Sequence, residues 1–279
     1  MPEARRTVAS WYSRSVWATG EYAPLTQLRR RGYHPGTAAD LDRVPPALAA
    51  RAITTLTATG DLVLDPACGA GTVLVEAVRA GRHTVGLTPN PRWWTLARAN
   101  VTAARRGGAW PDACVLDGHP SLLATPHAAG LLGRVDLVLT ALRHTEPADT
   151  KQAIADLGDA IHASRPLLGA GAHVAVALRP RRHADNGPRE VRARVLGTAT
   201  RAGLALVRHY IALTGRTRGA RLLDHPSPTV GTLADRAAQH WELLVFRAPE
   251  DLAHVLAAPP PSFLGARAPL TGPRTGRAA

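Results

Sequence analysis

The segment DLVLDPACGAGTVLVEAVRAGRHTVGLTPNP, residues 61–91, contains the residue types best suited to ligand chemistry. Asp65 places a carboxylate at the end of an apolar run, and Gly69 and Gly71 follow in a short turn. Glycine lets a ligand approach the backbone closely, and N–H groups at a helix start bind anionic or polar groups. The third glycine of the dinucleotide fingerprint is missing, because Val73–Leu74 follow instead. We expect the turn to face a ligand cavity.

The residues around this turn predict a strand, a helix and a second strand. Asp61–Leu64 is short, apolar and β-rich, whereas Thr72–Ala80 carries apolar side chains at helical spacing. Thr84–Leu87 begins the next β-rich run. This order is typical of a parallel sheet, in which ligands bind at the carboxyl ends of the strands.

The phrase Asp65-Pro66-Ala67-Cys68-Gly69-Ala70-Gly71-Thr72 resembles the cofactor loop of S-adenosylmethionine-dependent methyltransferases. It is most similar to the loop D-P-x-x-G-x-G-T of the DNA and RNA amino-methyltransferases. The resemblance runs from Ser15–Ala18, which it implies lies near the cofactor, to about Pro249. It implies S-adenosylmethionine as cofactor, with contacts from Asp65, Ala67, Gly69, Gly71 and Thr72. The alternative is a glycine-containing turn of another doubly wound protein.

The resemblance weakens at the position that should bind the ribose. The family ends its second strand on Asp or Glu, whereas this strand ends at Thr88. A carboxylate is the stronger, charge-assisted acceptor, so we expect weaker cofactor binding. Asp117 follows the third predicted strand, where the family often contacts the adenine amino group. The alternative for Asp117 is a turn-forming role before Gly118.

The resemblance is lost at the position of the catalytic tetrapeptide. The family reads (Asp/Asn/Ser)-Pro-Pro-(Tyr/Phe/Trp) after its fourth strand, and this chain reads Ala141-Leu142-Arg143-His144. In the family, the first residue and a backbone carbonyl accept hydrogen bonds from the target amino group, the prolines fix the loop, and the aromatic ring stacks on the extruded base. Ala141 has no side-chain acceptor, and only His144 could stack. We therefore expect impaired or lost amino-methylation, unless a neighbour such as Thr140 has taken over.

The charge of the chain favours a polyanionic partner. The formal net charge is +13, carried almost wholly by arginine because Lys151 is the only lysine. Nucleic acid, DNA or RNA, is the first candidate; the alternatives are a solvated basic surface and an arginine bias of genomic origin. The densest clusters supply our candidates for phosphate contact: Arg29, Arg30, Arg31, Arg179, Arg181 and Arg182.

Cysteine and histidine usage predicts neither a disulfide framework nor a metal site. Cys68 and Cys114 are too few for the first, and the twelve histidines form no zinc-ligand spacing. The start of the sequence has no apolar signal core, and no apolar run approaches a membrane span. We expect a cytoplasmic protein that does not enter a membrane.

The alternation of predicted elements indicates an α/β fold. We expect a Rossmann-like, doubly wound sheet of seven strands with the last strand antiparallel. Residues 1–44 are predicted to form a basic N-terminal arm packed on the core, and residues 45–250 the methyltransferase-like domain. Residues 251–279, rich in proline, glycine and alanine, are predicted to be disordered.

Three functions fit the sequence. The first is a homologue of the DNA/RNA amino-methyltransferases with impaired or lost catalysis. The second is a non-catalytic nucleic-acid-binding or regulatory protein on the same fold. The third is a methyltransferase of small molecules, against which the high positive charge counts.

Overall fold

The structure is a computed structural model that describes residues 15–106, 111–143, 150–180, 188–218, 221–223 and 240–248. Its strands are β1 (Val16–Ala18), β2 (Leu62–Asp65), β3 (His83–Thr88), β4 (Ala113–Asp117), β5 (Val135–Ala141), β6 (Leu168–Leu178), β7 (Ala205–Leu213), β8 (Arg216–Arg218), β9 (Arg221–Leu223) and β10 (His240–Arg247). Its α-helices are α1 (Pro24–Arg30), α2 (Pro46–Leu56), α3 (Thr72–Arg79), α4 (Pro91–Arg106), α5 (Thr150–Ser164) and α6 (Pro188–Arg201). Short 3-10 helices span Pro35–Ala39, Pro120–Ala124, Pro126–Leu131 and Arg165–Leu167.

Eight strands form one mixed sheet in the order β1-β7-β10-β6-β5-β2-β3-β4. β10 is antiparallel to both of its neighbours, and the other pairings in this sheet are parallel. The predicted doubly wound α/β fold with a reversed last strand is therefore confirmed. Strands β8 and β9 form a separate two-stranded ribbon.

The sheet has eight strands rather than the seven predicted, because β1 adds an edge. Val16 pairs with Ile211 of β7, and the Trp17 ring stacks on Tyr210 with centroids 4.2 Å apart. A three-residue strand is too short to show an alternating pattern of its own. Part of the segment predicted as an N-terminal arm is thus built into the sheet. Residues 1–14 of that arm and the predicted tail 251–279 lie outside the described residues.

Helices cover both faces of the sheet, which explains the nearly continuous apolar strands. Along β5, Val138 packs with α5 and α6, whereas Leu137 and Leu139 pack with α2 and α3. These side chains are fully buried, and burying each one contributes about 1.5–3 kcal/mol before other costs. The parallel strands β2 to β6 consequently end at one rigid edge of the sheet, where ligands of such folds bind.

No helix in the described part of the chain carries an apolar stretch long enough to cross a lipid bilayer.

Candidate functional site

The glycine turn connects β2 to α3 at the carboxyl edge of the sheet. Gly69 and Gly71 have φ values of +51° and +81°, which favour glycine. A Cβ atom on Gly71 would lie 2.9 Å from the Cβ atom of Ala97 in α4. Gly71 therefore serves the packing of the turn on α4, and a large side chain there would disturb the fold as well as any ligand site. Thr72, predicted to contact a cofactor, is buried at the start of α3.

Gly69 faces charged side chains instead of the open cavity that we expected from the sequence. A Cβ atom built on Gly69 would clash with Oδ2 of Asp40 and would lie 2.6 Å from Nη1 of Arg143. Asp40 follows the 3-10 helix Pro35–Ala39, and Arg143 follows β5. The turn is thus covered at this point by an ion pair from two distant parts of the chain.

The ion pair between Asp40 and Arg143 is tied directly to the glycine turn. Arg143 Nη2 donates to Asp40 Oδ1 at 2.7 Å, and the Ala70 N–H donates to Asp40 Oδ2 at 2.9 Å. Arg143 Nη1 also reaches the Ala67 carbonyl at 3.4 Å. Burial opposes the charge of Arg143, but the carboxylates of Asp40, Asp42 and Asp65 outweigh it and raise the pKa of the guanidinium. A positive charge is therefore fixed beside the turn.

Asp65 ends β2 beneath this ion pair and is almost fully buried. Burial raises its pKa to about 7, because removal from water disfavours the charged carboxylate. The Ala67 N–H, which donates to Asp65 Oδ1 at 3.1 Å, and the charge of Arg143 counteract only part of that shift. Asp65 can therefore gain or lose a proton near neutral pH.

Replacing Asp65 by asparagine should reduce the dependence of the unfolding free energy on pH. The folded-state pKa of Asp65 lies above its reference value of 3.8. Between these two pKa values the carboxyl group is protonated in the folded chain and ionised in the unfolded chain. Stability from this group is therefore present at low pH and is lost as the pH rises through about 7. That loss amounts to roughly 2–3 kcal/mol between pH 5 and pH 7.

Urea unfolding of the unaltered chain and of Asp65→Asn at several pH values between 5 and 8 measures this difference. The matched control is Asp117→Asn, since that carboxyl group is exposed. Parallel pH profiles for the unaltered chain and Asp65→Asn would contradict the prediction.

Of the four residues at the predicted catalytic position, the structure describes Ala141, Leu142 and Arg143, and none of these three side chains has a hydrogen-bond acceptor atom. Ala141 is the last residue of β5, and the Leu142 N–H donates to the Ala177 carbonyl of β6 at 3.0 Å. The side chains of Ala141 and Leu142 are 6% and 2% exposed and belong to the core. Arg143 is held by Asp40, and His144 lies outside the described residues.

The two remaining cofactor candidates lie side by side at neighbouring strand ends. Thr88 of β3 is directly opposite Asp117 of β4. Thr88 is buried, and its hydroxyl accepts a hydrogen bond from the Asn90 N–H at 3.5 Å. Asp117 is exposed. The structure thus brings a carboxylate next to the strand end at which the sequence lacks one.

The three arginines predicted near the N-terminus for phosphate contact differ in their surroundings. Arg29 and Arg30 are exposed at the end of α1, and the Arg30 guanidinium lies 4.1 Å from the centroid of the Tyr22 ring. Arg31 instead forms an ion pair with Glu76, which is 1% exposed within α3. Its charge therefore compensates a buried carboxylate.

The second predicted cluster follows β6 at the carboxyl edge. Arg179 is partly exposed there, whereas Arg181 and Arg182 lie outside the described residues. Arg43 is buried nearby; burial lowers its pKa, and the charge of Arg179 lowers it further. Arg43 in turn donates to the backbone carbonyl of Asp40. Arg179 consequently acts electrostatically on the charged group above the glycine turn.

Sequence reasoning missed Asp40, Asp42 and Arg43, which lie in one short segment before α2. The available signal was a run of charges, Asp40-Leu41-Asp42-Arg43, directly before the apolar helix start at Pro45-Pro46. A charged run in that place is ordinarily a solvated turn, yet all three charged side chains are buried.

A family model described as DNA methylase matches residues 9–97. The chain resembles the DNA amino-methyltransferases. The type II methyltransferase M.BglI of Bacillus subtilis is 34% identical over 93 residues, which are 33% of this chain and 23% of the relative. The type II methyltransferase M.MthZI of Methanothermobacter thermautotrophicus is 33% identical over 82 residues, 29% of this chain and 23% of the relative. The chain thus spans about a quarter of the length of these curated relatives.

Solved structures give a broader and weaker likeness. A TehB-like SAM-dependent methyltransferase from Corynebacterium glutamicum aligns with 80% of this chain and 97% of its own, at 17% identity and a TM-score of 0.47. Magnesium protoporphyrin IX methyltransferase from Synechocystis PCC 6803, solved with bound SAM, aligns with 80% of this chain and 82% of its own, at 14% identity and a TM-score of 0.45.

The match to the DNA methylase family model includes only some of the residues of this site. The family match includes Asp40, the glycine turn and Thr88, but it ends before Asp117 and Arg143. It therefore includes the residues at the ends of β2 and β3 and does not reach those at the ends of β4 and β5.

Proposed function

We propose that this chain is an S-adenosylmethionine-binding homologue of the DNA amino-methyltransferases that has lost amino-methylation and binds nucleic acid. The observation that carries the proposal is the split within the site. The glycine turn and its neighbours resemble the family, whereas Ala141 and Leu142 are buried and Arg143 is paired with Asp40.

The groups at the sheet edge match the chemistry of the proposed cofactor. Asp65, Asp40, Arg143 and the Ala70 N–H would hold its charged amino-acid end, because they supply acceptors for an ammonium group and donors for a carboxylate. Gly69 leaves room at the turn for a carboxylate and a guanidinium, those of Asp40 and Arg143. The carboxylate and ammonium groups of the amino-acid end are also charged groups, so they suit the same place. Thr88 and Asp117 would lie towards the ribose and adenine. When bound, S-adenosylmethionine supplies an activated methyl group.

The proposal of nucleic-acid binding rests on charge. The formal net charge is +13; on the part of the surface that the structure describes, Arg29 and Arg30 are exposed and Arg179 is partly exposed. Arg31 is a weaker candidate because its charge already compensates Glu76.

Calorimetric titration with S-adenosylmethionine and with its demethylated product, S-adenosylhomocysteine, tests the cofactor half of the proposal. We expect saturable one-to-one binding of both compounds. Absence of binding would contradict this half and would favour the alternative of a pure nucleic-acid-binding or regulatory protein.

Introducing a carboxylate at the end of β3 should strengthen cofactor binding. Thr88→Asp and Thr88→Glu each restore the acidic acceptor that the family uses for the ribose hydroxyls. We expect S-adenosylhomocysteine to bind about 10-fold to 100-fold more tightly, which corresponds to roughly 1–3 kcal/mol. The aspartate variant is the more favourable test, because Thr88 is only 3% exposed and a shorter side chain fits more easily.

The matched control for this prediction is Asn90→Asp, which adds the same charge two residues away. The Asn90 side chain accepts a hydrogen bond from the Arg92 N–H at 3.0 Å, an interaction that aspartate can retain. Equal tightening in both variants would indicate a general charge effect. No tightening in either Thr88 variant would mean that Thr88 is not the ribose position.

A further inference from the structure

Arg143 occupies the place of the second proline in the family tetrapeptide, yet it reaches back to the opposite side of the site. Its guanidinium joins Asp40, which is 103 positions away in the sequence, and the Ala67 carbonyl of the glycine turn. If random mutation alone had replaced the family proline, the new side chain would not need a buried carboxylate and a backbone carbonyl as partners. The position of the guanidinium is therefore informative about the ligand that this edge of the sheet binds.

The Asp40 carboxylate is bound in the manner of a ligand carboxylate. One oxygen accepts a hydrogen bond from the Ala70 N–H of the glycine turn, and the other accepts a hydrogen bond from the guanidinium of Arg143. Backbone N–H groups near a helix start and a guanidinium are the donors that proteins use to bind carboxylates. Asp40 is 1% exposed, so this arrangement is enclosed and does not rely on solvent.

The glycine at position 69 explains how this pair of side chains fits against the turn. Gly69 lacks the Cβ atom that would clash with Asp40 and Arg143, so the turn leaves room for polar groups at that point. Asp65 lies below them as a further carboxyl group, and the charges of Arg143 and Asp40 both act on its pKa. One fixed cation and two carboxyl groups therefore surround the turn.

We infer that Arg143 is the receptor for the carboxylate of the amino-acid end of the cofactor, and that Asp40 receives its ammonium group. This inference rests on the proposed cofactor function. An amino-acid end is a zwitterion, so it can replace the internal ion pair charge for charge: its carboxylate takes the place of Asp40 on Arg143, and its ammonium group takes the place of Arg143 on Asp40. The buried charges stay compensated in both states, which removes the penalty of an unpaired ion.

Arginine suits this role better than lysine. Its planar guanidinium can donate two hydrogen bonds to one carboxylate, whereas lysine offers a single charged point. Binding of the cofactor then exchanges the Asp40–Arg143 pair for two ion pairs with the amino-acid end.

Two ligands that differ only in the amino-acid end provide the test. S-adenosylhomocysteine carries that end, and 5′-methylthioadenosine has the same adenosine thioether without it. In Arg143→Met, we expect the affinity for S-adenosylhomocysteine to fall about 10-fold to 100-fold, as for the loss of a charge-assisted hydrogen bond. The affinity for 5′-methylthioadenosine should stay within about twofold, because that ligand makes no use of the guanidinium.

Two further variants complete the design. Arg143→Lys keeps the charge and protects against a failure to fold, and its affinity for S-adenosylhomocysteine should be intermediate. Arg134→Met is the matched control, because Arg134 is exposed before β5, at the other edge of the sheet. It should change neither affinity. Thermal unfolding of each variant checks that the fold is retained.

The outcomes separate this inference from the proposed function. If the unaltered chain binds both ligands equally, or if Arg143→Met weakens both alike, Arg143 is not the carboxylate receptor and the inference is overturned, while the cofactor proposal stands. Tighter binding of S-adenosylhomocysteine by Arg143→Met would overturn it too, since the ion pair would then be only an obstacle. If the unaltered chain binds neither ligand, the proposed cofactor function fails and the inference fails with it.

Discussion

The purified chain should transfer no detectable methyl group from S-adenosylmethionine to the amino groups of adenine or cytosine. Ala141 has no acceptor, and its side chain is buried with that of Leu142 in the core. Arg143 cannot supply the missing acceptor either, because a guanidinium only donates hydrogen bonds, and here it pairs with Asp40. Losing one positioned electrostatic partner costs about 10²–10³ in rate, and the sequence also lacks the paired prolines and the Tyr, Phe or Trp of the family tetrapeptide.

Transfer of labelled methyl groups to DNA and to RNA, at saturating cofactor, measures this result. A graft of Ser-Pro-Pro-Tyr at residues 141–144, combined with Thr88→Asp, tests the cause. The graft removes the hydrogen bond from the Leu142 N–H to Ala177, so some loss of stability is expected. The matched control is the same graft with Ala141 retained, which should be less active than the full graft. Methylation by the unaltered chain at a rate comparable to that of active relatives would show that another residue has taken over.

Nucleic-acid binding by this chain should be insensitive to sequence and should weaken steeply with salt. Binding that neutralises about six phosphates loses roughly 10³-fold in affinity between 50 and 200 mM salt, because condensed counterions are released on binding. Retardation of short duplex and single-stranded DNA and RNA over that range measures the slope of log affinity against log salt.

A triple variant identifies the surface responsible for this binding. Arg29→Gln, Arg30→Gln and Arg179→Gln together should reduce the magnitude of the slope by about 2.7, which is about 0.9 for each phosphate that is no longer neutralised. A control that removes the same charge from exposed positions elsewhere should alter the slope less: Arg134→Gln, Arg201→Gln and Arg208→Gln. Equal changes would indicate that net charge alone governs binding. Absence of retardation at low salt would contradict nucleic-acid binding altogether.

The local elements around the glycine turn could be predicted from the sequence because their causes are local. The strand was predicted at Asp61–Leu64 and the helix at Thr72–Ala80, and the observed bounds of β2 (Leu62–Asp65) and α3 (Thr72–Arg79) differ from these by at most one residue. Apolar periodicity and the conformational freedom of glycine are properties of a few consecutive residues. The fold class follows from the same signals, since alternating strands and helices allow few topologies.

The residues that resemble a known cofactor loop were also visible in the sequence, and so was the loss of the catalytic tetrapeptide. What could not be predicted was the role of the replacement. Arg143 could be recognised as a missing proline, but its partner Asp40 is 103 positions away, in a segment that no motif singles out.

Tertiary structure alone decided the electrostatics of the site, because burial and long-range pairing are not local properties. Burial in the folded chain raises the pKa of the Asp65 carboxyl group to about 7, because water is excluded from it. Arg31 is tied to Glu76, a carboxylate within a helix, and was indistinguishable in sequence from Arg29 and Arg30. The edge strand β1 formed only through its pairing with β7, which is almost two hundred residues away. The sequence alone determined the elements on either side of the glycine turn and the place of the turn itself, whereas folding decided which charges meet above it.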